Sequence, residues 1–441
     1  MKRRTANFIM KQNGEKTGIF ARIDRKTLIT IISITLGVLI LGGLYLWYVR
    51  NYANARKVDL ETDKALSYEL QSVAADNGIV KDFLWSRTKE LMLKNADDKT
   101  LIVEKVTLPG KLIDQEQSES GTYSLEDQSL LLRIYVSDNN RIAAKSLYSE
   151  INKRFDIDSE SVPSKVAYLE AFLYYYSSYG TKDDAEKLSA LVNSLFDEQG
   201  LLKPESFEVS KYSGQAYVSS ADENEALSTG SAMGDLEAGG TNGSYQGSDE
   251  KKTINGVLLS SIDLKLIKAL ETNEFLPEGS YERNLKIVKD SVLGSDLPLY
   301  AYAYEINDGE VGYVYSSGIT GTVDLTQCVM TMRNLAEVDE LSEASYSWLK
   351  STLYGTERFA DTYFIVTGRP DGNESVEAYF CIARIALING DDDVFGFCMQ
   401  RLGAHVATLD SSPALSMIFR SEDGRNVVYA KDNLEMYLII R

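Results

Sequence analysis

An uncharged apolar run near the N-terminus constrains this chain most. Residues 28–49 read LITIISITLGVLILGGLYLWYV, slightly more than the roughly 20 residues that an α-helix needs to cross a bilayer. Residues 1–27 carry eight basic and two acidic side chains, and such basic flanks stay on the cytoplasmic side. Tyr45, Trp47 and Tyr48 lie at the other end, where amphipathic rings favour the headgroup region. The sequence predicts a single-pass protein of the cell membrane with a cytoplasmic N-terminus and an extracellular C-terminal part.

Two export signals compete with this interpretation. A cleaved signal peptide has a shorter apolar core and small residues at its cleavage site, whereas this run ends in Tyr-Leu-Trp-Tyr-Val-Arg. A twin-arginine signal places the apolar stretch close behind the arginine pair, whereas a polar segment follows Arg3-Arg4 here. We therefore expect an uncleaved anchor over residues 28–49, a short stalk over residues 50–64 and an exported domain over residues 65–441.

The composition argues against several functions. The formal net charge is −19, and the basic tail contributes +6, so the rest of the chain holds about −25. An acidic domain of this kind is a poor partner for nucleic acid. His405 is the single histidine, and no CxxC or HExxH motif occurs, so we predict neither a metal nor another cofactor. Cys328, Cys381 and Cys398 lie in apolar stretches, where small thiols pack in a core.

Apolar residues recur at helical spacing over about twelve segments after the anchor. These segments are residues 65–95, 125–137, 141–155, 162–178, 182–197, 257–271, 280–292, 323–337, 342–353, 375–389, 392–403 and 409–420. Short loops join many of them in pairs, as in helical hairpins. We predict an all-α fold, an (α/α)6 toroid of helical hairpins preceded by one transmembrane helix. A helical solenoid is the competing architecture, but the sequence lacks a fixed repeat period.

Four segments depart from the helical pattern. Residues 208–252 are rich in Ser, Gly and acids with little to bury, which predicts a mobile loop that is either disordered or a lid. Residues 100–107, 131–136 and 426–440 are β-prone. The last of these fits a terminal strand or a terminal helix.

Four acidic residues lie where predicted helices begin, and they are Glu126, Asp263, Asp324 and Glu374. In a toroid of hairpins such helix starts gather at one end, and paired carboxylates hydrolyse glycosidic bonds. Capping explains each acid separately, because the helix dipole and N-terminal hydrogen bonds favour acids there. The matching positions nevertheless favour a shared site.

One of these helix starts resembles a known family. The run YSLEDQSLLLRIYV at 123–136 resembles the Ser-Glu-Gly-Gln-Ser segment that begins an inner helix in glycoside hydrolase family eight. Residues 258–270, 297–338 and 367–387 are similar in order and spacing to later hairpins of membrane-anchored or secreted Gram-positive relatives, which accompany exopolysaccharide synthesis. Members of this family are (α/α)6 barrels of the six-hairpin glycosidase superfamily. The resemblance covers roughly residues 80–405.

The resemblance implies roles for individual residues. Glu126 matches the family's proton donor, and Glu374 lies where several members have a tyrosine followed by the Asp that activates water. Two positions depart from the family. Asn373-Glu374 replaces that Tyr-Asp pair, and Ser164 and Lys165 stand where many relatives have one or two Asp residues. A site acid that holds the sugar or the water in the family is therefore in doubt here.

The sequence leads to one main functional expectation and two alternatives. We expect a membrane-anchored extracellular glycoside hydrolase that cleaves a β-linked exopolysaccharide with inversion, beside proteins of exopolysaccharide synthesis or export. The catalytic candidates are Glu126, Glu374, Asp263 and Asp324, and the candidates for sugar binding are Tyr123, Gln128, Tyr302 and Tyr315. The departures at Ser164, Lys165 and Asn373-Glu374 favour instead an inactive relative that binds glycan. If all four acids only cap helices, the domain is a structural surface protein.

Overall fold

The computed structural model describes residues 25–49, 58, 60, 65–94, 100–108, 118–210, 251–307, 310–316, 321–422 and 424–441. Its first helix, α1, spans Arg25–Tyr48 and covers the predicted apolar run. Within α1, Ile29–Tyr48 has a mean hydropathy of 2.3 over 20 residues. This length and composition suit a membrane span, and a signal sequence has the same properties. Most of the predicted stalk lies outside the described residues, and the topology of α1 stays a prediction.

The C-terminal part is mainly helical in the residues described. Its helices are α2 Tyr68–Asp76, α3 Lys81–Met92, α4 Leu125–Ser137, α5 Arg141–Arg154, α6 Val162–Tyr179, α7 Lys182–Leu195, α8 Leu264–Thr272, α9 Ser280–Asp290, α10 Leu325–Ala336, α11 Glu343–Thr356, α12 Val376–Asn389, α13 Asp392–Gly403 and α14 Ala430–Ile440. These positions agree with most of the periodic segments in the sequence.

Six of these helices form an inner ring. In ring order they are α4, α6, α8, α10, α12 and α14; each packs against the next or against the turn preceding it, and α14 closes on α4. One helix returns the chain between consecutive members, so all six run in the same direction. Helices α5, α9 and α13 pack outside α4, α8 and α12, while α3 from the N-terminal side packs on α14. This arrangement confirms the predicted (α/α)6 toroid.

Short antiparallel sheets accompany the ring. The strands are β1 Leu93–Lys94, β2 Leu101–Ile102, β3 Lys105–Thr107, β4 Ser118–Glu119, β5 Glu205–Ser210, β6 Lys251–Leu258, β7 Ala303–Asn307, β8 Glu310–Val314, β9 Thr322–Asp324, β10 Ala360–Phe364, β11 Pro370–Glu374, β12 Arg420–Glu422 and β13 Arg425–Tyr429. They pair in the orders β1-β2, β5-β6-β7-β8, β11-β10-β9 and β12-β13-β3-β4. Strands β9, β11 and β13 lead directly into α10, α12 and α14, so these sheets lie at the end of the ring where the inner helices begin.

Local chemistry explains why the inner helices begin where they do. The Ser124 side chain accepts a hydrogen bond from the Asp127 N–H and caps α4. Asp263 and Asp324 are the N-caps of α8 and α10 and accept from the third residue beyond each cap. Side-chain caps of this kind stabilise a helix start by about 0.5–2 kcal/mol. The capping interpretation is therefore confirmed for Asp263 and Asp324.

Several predicted boundaries were wrong, for identifiable reasons. Residues 65–95 hold two helices, because Gly78 has a φ of +83° between them. Residues 409–420 form turns rather than a helix, since Pro413 lacks an N–H and Ser416 has a positive φ. The β-prone segment 131–136 lies inside α4.

The structure also defines the C-terminal segment and the two ends of the predicted mobile loop. The C-terminal segment forms both elements, first strand β13 and then helix α14. Residues 208–210 and 251–252, placed in the predicted mobile loop, belong instead to β5 and β6, where Val209 pairs with Lys252. The rest of that loop lies outside the described residues.

Candidate active site

Side-chain contacts tie the starts of the inner helices together at one end of the ring. On one side, the Ser164 hydroxyl of α6 donates to Glu126 Oε1 of α4 at 3.2 Å. Lys431 Nζ of α14 lies 3.9 Å from the other Glu126 oxygen. On the opposite side, the Thr326 hydroxyl of α10 and the Ser375 hydroxyl before α12 are 2.9 Å apart. We call this end of the ring the mouth.

An ion-pair network joins α12 and α14 at the mouth. Arg420 Nη2 lies 2.7 Å from Glu377 Oε1 and 2.5 Å from Asp432 Oδ1. Burial raises the pKa of Asp432 to about 6, although Arg420 opposes that rise. Burial would also raise the pKa of Glu377, but the positive charges of Arg420 and Lys431 outweigh burial and lower that pKa. The guanidinium group therefore holds two helix starts together in a partly desolvated setting.

A cavity of about 390 Å³ extends into the ring from Glu126. Its charged lining residues are Glu126, Glu170, Asp263, Glu337 and Glu435 together with Arg133, Lys265, Arg333, Arg384 and Lys431. Acids and bases are therefore equal in number in this lining. Arg133 pairs with Glu170 at 2.9 Å, and Glu337 pairs with Arg384 at 2.7 Å. The deeper part of the cavity is thus a network of neutralised charges that connects neighbouring inner helices.

Asp263 lies in the deep part of the cavity and not at the mouth. Asn334 donates hydrogen bonds to the carbonyl groups of Ser260 (2.9 Å) and Ile262 (3.1 Å), just before α8. Asn334 lies ten residues beyond Asp324 on α10, which is about 15 Å at the α-helical rise. The strand β6 and a turn take the place of the first turns of α8. The expectation that all four acids gather at one end was therefore wrong for Asp263, whose pKa is raised mainly by burial.

Asp324 lies at the mouth, on the opposite side of the ring from Glu126. It accepts a hydrogen bond from the N–H of Gln327, whose side chain lines the cavity. Burial raises the pKa of Asp324, and the charges of Glu377 and Asp361 add to the rise. Asp324 in turn contributes, after burial, to the raised pKa of Tyr302. Asp324 and Tyr302 are therefore close enough for their charges to interact, although neither side chain lines the cavity.

Glu374 does not line the cavity. Both of its carboxylate oxygens accept from Arg401 Nη2 at 2.7 Å, and Oε1 also accepts from the Tyr379 hydroxyl at 2.6 Å. Burial by itself would raise the pKa of Glu374, but the hydrogen bonds from Tyr379 and Arg401 outweigh burial and lower that pKa. These contacts suit an ion pair that joins α13 to the start of α12. The geometry does not bring the predicted base to the cleft.

Of the other predicted sugar contacts, Gln128 is buried, Tyr123 and Tyr315 are half-buried, and none of the three lines the cavity. Gln128 lies in the core, where its side chain accepts from the N–H of Ile102 and donates to the carbonyl of Ile102. That bonding fixes β2 against α4 and leaves Gln128 outside the cavity lining. Tyr123 is half-buried just before α4. Tyr315 is half-buried after β8, and burial raises its pKa to about 12.

Asp127 is buried directly behind Glu126. It is 3% exposed, and burial raises its pKa to about 8, with the charge of Glu126 adding to the rise. Its carboxyl is therefore largely protonated at neutral pH in the folded state. The three cysteines are also buried, which confirms their predicted core packing. Among the described residues, no group of three or more His, Cys, Asp or Glu could hold a metal ion.

We expect Asp127→Asn to stabilise the domain in a pH-dependent manner. The unfolded chain releases the Asp127 proton near pH 3.8, whereas the folded chain holds it until about pH 8. The wild-type protein therefore loses stability as the pH rises between these values, and the variant does not. Thermal melts at pH 5 and pH 8.5 should differ in their mutational effect by about 4 kcal/mol. The exposed first-turn Asp392→Asn serves as the control, and an equal effect at both pH values would contradict the prediction.

Sequence reasoning missed several charged residues of the cavity. Arg133 follows Glu126 by seven residues, and Glu435 follows Lys431 by four, spacings that place residues on one helix face. Charged residues at helical spacing on a helix that packs inside the ring could have indicated this lining. For α14 the spacing was not recognised, because residues 426–440 fitted a strand as well as a helix.

The fold of this domain is shared by proteins of known structure. Its closed ring of six inner helices is an (α/α)6 toroid. Twenty-seven chains of known structure match this fold. An α-amylase from Clostridium perfringens matches with a TM-score of 0.57 and 16% identity, over 82% of this chain and 96% of that one. This likeness shows the fold.

Two further solved structures are more distant. PssZ from Listeria monocytogenes matches with a TM-score of 0.47 and 14% identity, over 86% of this chain and 96% of that one. The endo-β-1,4-glucanase CMCax from Acetobacter xylinum matches with a TM-score of 0.45 and 9% identity, over 83% of this chain and 98% of that one. No protein-family model matches the sequence. No curated protein matches it significantly.

Proposed function

We propose that this chain is a membrane-anchored, extracytoplasmic glycoside hydrolase that cleaves a β-linked exopolysaccharide with inversion. One observation carries the proposal: Glu126 and Asp324 lie at the starts of α4 and α10, on opposite sides of one ring and at the same end of it. The six-hairpin glycosidase fold and the cavity below Glu126 support it. Anchoring by α1 would hold the site where a polymer emerges from synthesis or export proteins.

The proposed reaction uses one carboxyl on each side of the sugar. Glu126 donates its proton to the glycosidic oxygen as the bond from that oxygen to the anomeric carbon breaks. A water molecule attacks the same carbon from the opposite face, and Asp324 takes its proton. Inverting enzymes of this kind separate the two carboxyl groups by about 6.5–9.5 Å to leave room for the water. A raised pKa makes Asp324 a stronger base.

The stereochemistry of the first product tests this proposal. The purified domain would be incubated with β-1,4-, β-1,3- and β-1,6-linked polysaccharides, and with an α-glucan because an α-amylase shares the fold. Proton NMR of the anomeric signals should show an α-anomer released first from a β-linked polymer. Release of the β-anomer would overturn inversion, and release from the α-glucan alone would overturn the proposed linkage.

A second function is favoured by the charges around Glu126. Lys431 Nζ lies 3.9 Å from Glu126 Oε2, so this oxygen faces a protein cation. The hydroxyl of Ser164 also donates to this carboxyl. These contacts suit an inactive domain that binds glycan within a surface assembly. Saturable binding of a polysaccharide by calorimetry, without any product after prolonged incubation, would establish this function in place of hydrolysis.

Paired substitutions distinguish the two candidate bases. We expect Asp324→Asn to lower kcat by about 10²–10⁴-fold, the usual contribution of a general base. We expect Glu374→Gln to leave kcat within about threefold and to lower stability by about 1–3 kcal/mol, because the Arg401 pair is weakened. Initial rates and urea melts of both variants provide the measurement. The reverse pattern of rates would restore Glu374 as the base.

A further inference from the structure

The cavity below Glu126 runs along the axis of the ring. All six inner helices contribute side chains to its lining. On α4 these are Glu126, Leu130 and Arg133, a spacing that marks one face of a helix. Glu126 lies at the entrance, in the first turn of α4, with a side chain that is 34% exposed. The cavity is therefore an axial pocket entered from the mouth, and not a groove that runs across it.

A layer of ion-paired side chains forms the floor of this pocket. Arg133, Glu170 and Arg384 each lie eight residues beyond the first residue of α4, α6 and α12, which is about 12 Å along each helix. Arg133 pairs with Glu170 at 2.9 Å, and Arg384 pairs with Glu337 at 2.7 Å. Lys265 Nζ of α8 lies 3.5 Å from Glu337 as well. These pairs join neighbouring inner helices at one level below the mouth.

A second cavity lies beyond the floor. It has a volume of about 340 Å³, and Glu170, Lys265 and Glu337 line both cavities. The rest of its lining is mostly apolar and includes Leu173 and Leu266 from the lower turns of α6 and α8. Sugar hydroxyls that lose their water need hydrogen-bond partners, and this lining offers few. A glycan that enters from the mouth therefore stops at the floor.

The pocket above the floor suits a short length of sugar. Its wall combines the apolar side chains of Leu130, Val166 and Met330 with the polar side chains of Ser261 and Gln327. Sugar rings present apolar C–H faces and polar hydroxyls, and ligand pockets combine an apolar lining with a few polar groups. The volume of about 390 Å³ lies at the small end of the range for such pockets. It has room for a few sugar units only.

We propose that the cavity binds the end of a glycan chain, so that cleavage releases short oligosaccharides from that end and does not cut within the polymer. This inference rests on the proposed hydrolase function and specifies its mode of action. A groove open at both ends accepts any stretch of a polymer. A pocket with a floor accepts only a terminus, because the chain cannot continue. The bond presented to Glu126 then joins the sugars inside the pocket to the sugar just outside it.

The length dependence of binding tests the pocket without turnover. Glu126→Gln protein would be titrated by calorimetry with β-1,4-, β-1,3- and β-1,6-linked gluco-oligosaccharides of two to six units. For a linkage that binds, Kd should stay within about threefold from three units to six, because the additional units lie outside the pocket. A Kd that keeps falling, by about tenfold or more over that range, indicates an extended groove and overturns the inference. Failure of all three series to bind also overturns it.

Cavity-filling variants connect this binding to the pocket. Ala167→Phe on α6 and Met330→Trp on α10 place larger side chains into the cavity from different helices. Each should raise the Kd of a trisaccharide at least about tenfold, since the ring occupies the space of the sugar. The control is Ala404→Phe, at the exposed C-cap of α13, which should leave Kd unchanged. Thermal melts confirm that each variant is folded, and unchanged binding by the folded filling variants overturns the inference.

The product pattern keeps this inference separate from the proposed function. Wild-type digestion of a β-linked polymer should release short oligosaccharides from the start, while the viscosity falls slowly. A ladder of long fragments with a rapid loss of viscosity retains the hydrolase and overturns chain-end binding. A protein that cleaves nothing, but whose oligosaccharide binding is lost in the filling variants, overturns the hydrolase and leaves the pocket intact.

Discussion

Glu126→Gln is expected to lower kcat on polysaccharide by about 10²–10⁴-fold, the usual contribution of a general acid. The amide has nearly the shape of the carboxyl but supplies no acidic proton to the leaving oxygen. Because the Glu126 side chain is 34% exposed and lies in the first turn of α4, the change should leave the fold intact. Initial rates at saturating substrate, with a thermal melt of each preparation, measure both effects.

The leaving group makes this test sharper. An aryl glycoside with a good leaving group needs little protonation, so Glu126→Gln should reduce its turnover much less than that of the polysaccharide. The matched control is Glu343→Gln, which removes an exposed first-turn Glu from α11 and should leave both rates unchanged. A Glu126→Gln variant that cleaves polysaccharide at the wild-type rate would remove Glu126 from the reaction.

Arg420→Ala is expected to destabilise the domain by about 3–5 kcal/mol, the usual cost of leaving a buried charge without its partner. Asp432 is 1% exposed and receives two contacts from Arg420, at 2.5 and 2.7 Å. Without the guanidinium, Asp432 must remain ionised in the core or take up a proton. Glu377 loses the same partner, so the starts of α12 and α14 lose their link. Urea unfolding at pH 7 measures the loss.

The pH dependence identifies the cause of this destabilisation. Burial raises the pKa of Asp432 to about 6 in the wild type, so Asp432 ionises as the pH rises through that value, and in Arg420→Ala the buried carboxylate then lacks its guanidinium partner. The deficit of Arg420→Ala should therefore be smaller at pH 5, where Asp432 is neutral, than at pH 7.5. Asp432→Asn should recover much of the stability in the double variant. Arg425→Ala, at an exposed position of β13, is the control, and a deficit independent of pH would point to lost packing.

Much of the fold could be predicted from local patterns. The inner helices α4, α6, α10 and α12 match the periodic segments closely, because each buries an apolar face on both neighbours and the outer layer. The segment 409–420 was misassigned, since apolar spacing outweighed the signal of Pro413. Helix α14 was ambiguous because strand β13 precedes it without a break, and the two periodicities overlap.

Less of the candidate site could be predicted. Glu126 and Asp324 were found because helix starts are marked by capping residues in the sequence. The same signal selected Asp263, but α8 begins deeper in the ring than α4 and α10 do, because β6 precedes it. It also selected Glu374, whose carboxylate is held by Arg401. A local pattern gives the position of a residue on its helix. It does not show how deep in the ring that helix begins, or which side chain the residue will contact.

The sequence by itself determined the apolar N-terminal helix, the helical hairpins and the acids at their starts, because these depend on neighbours within a few turns. Only the tertiary structure decided which acids share the mouth and that Lys431 faces Glu126. It also decided that the cavity carries equal numbers of acids and bases. These features depend on the closure of the ring, which brings α14 against α4, and the charges that meet there come from distant parts of the chain.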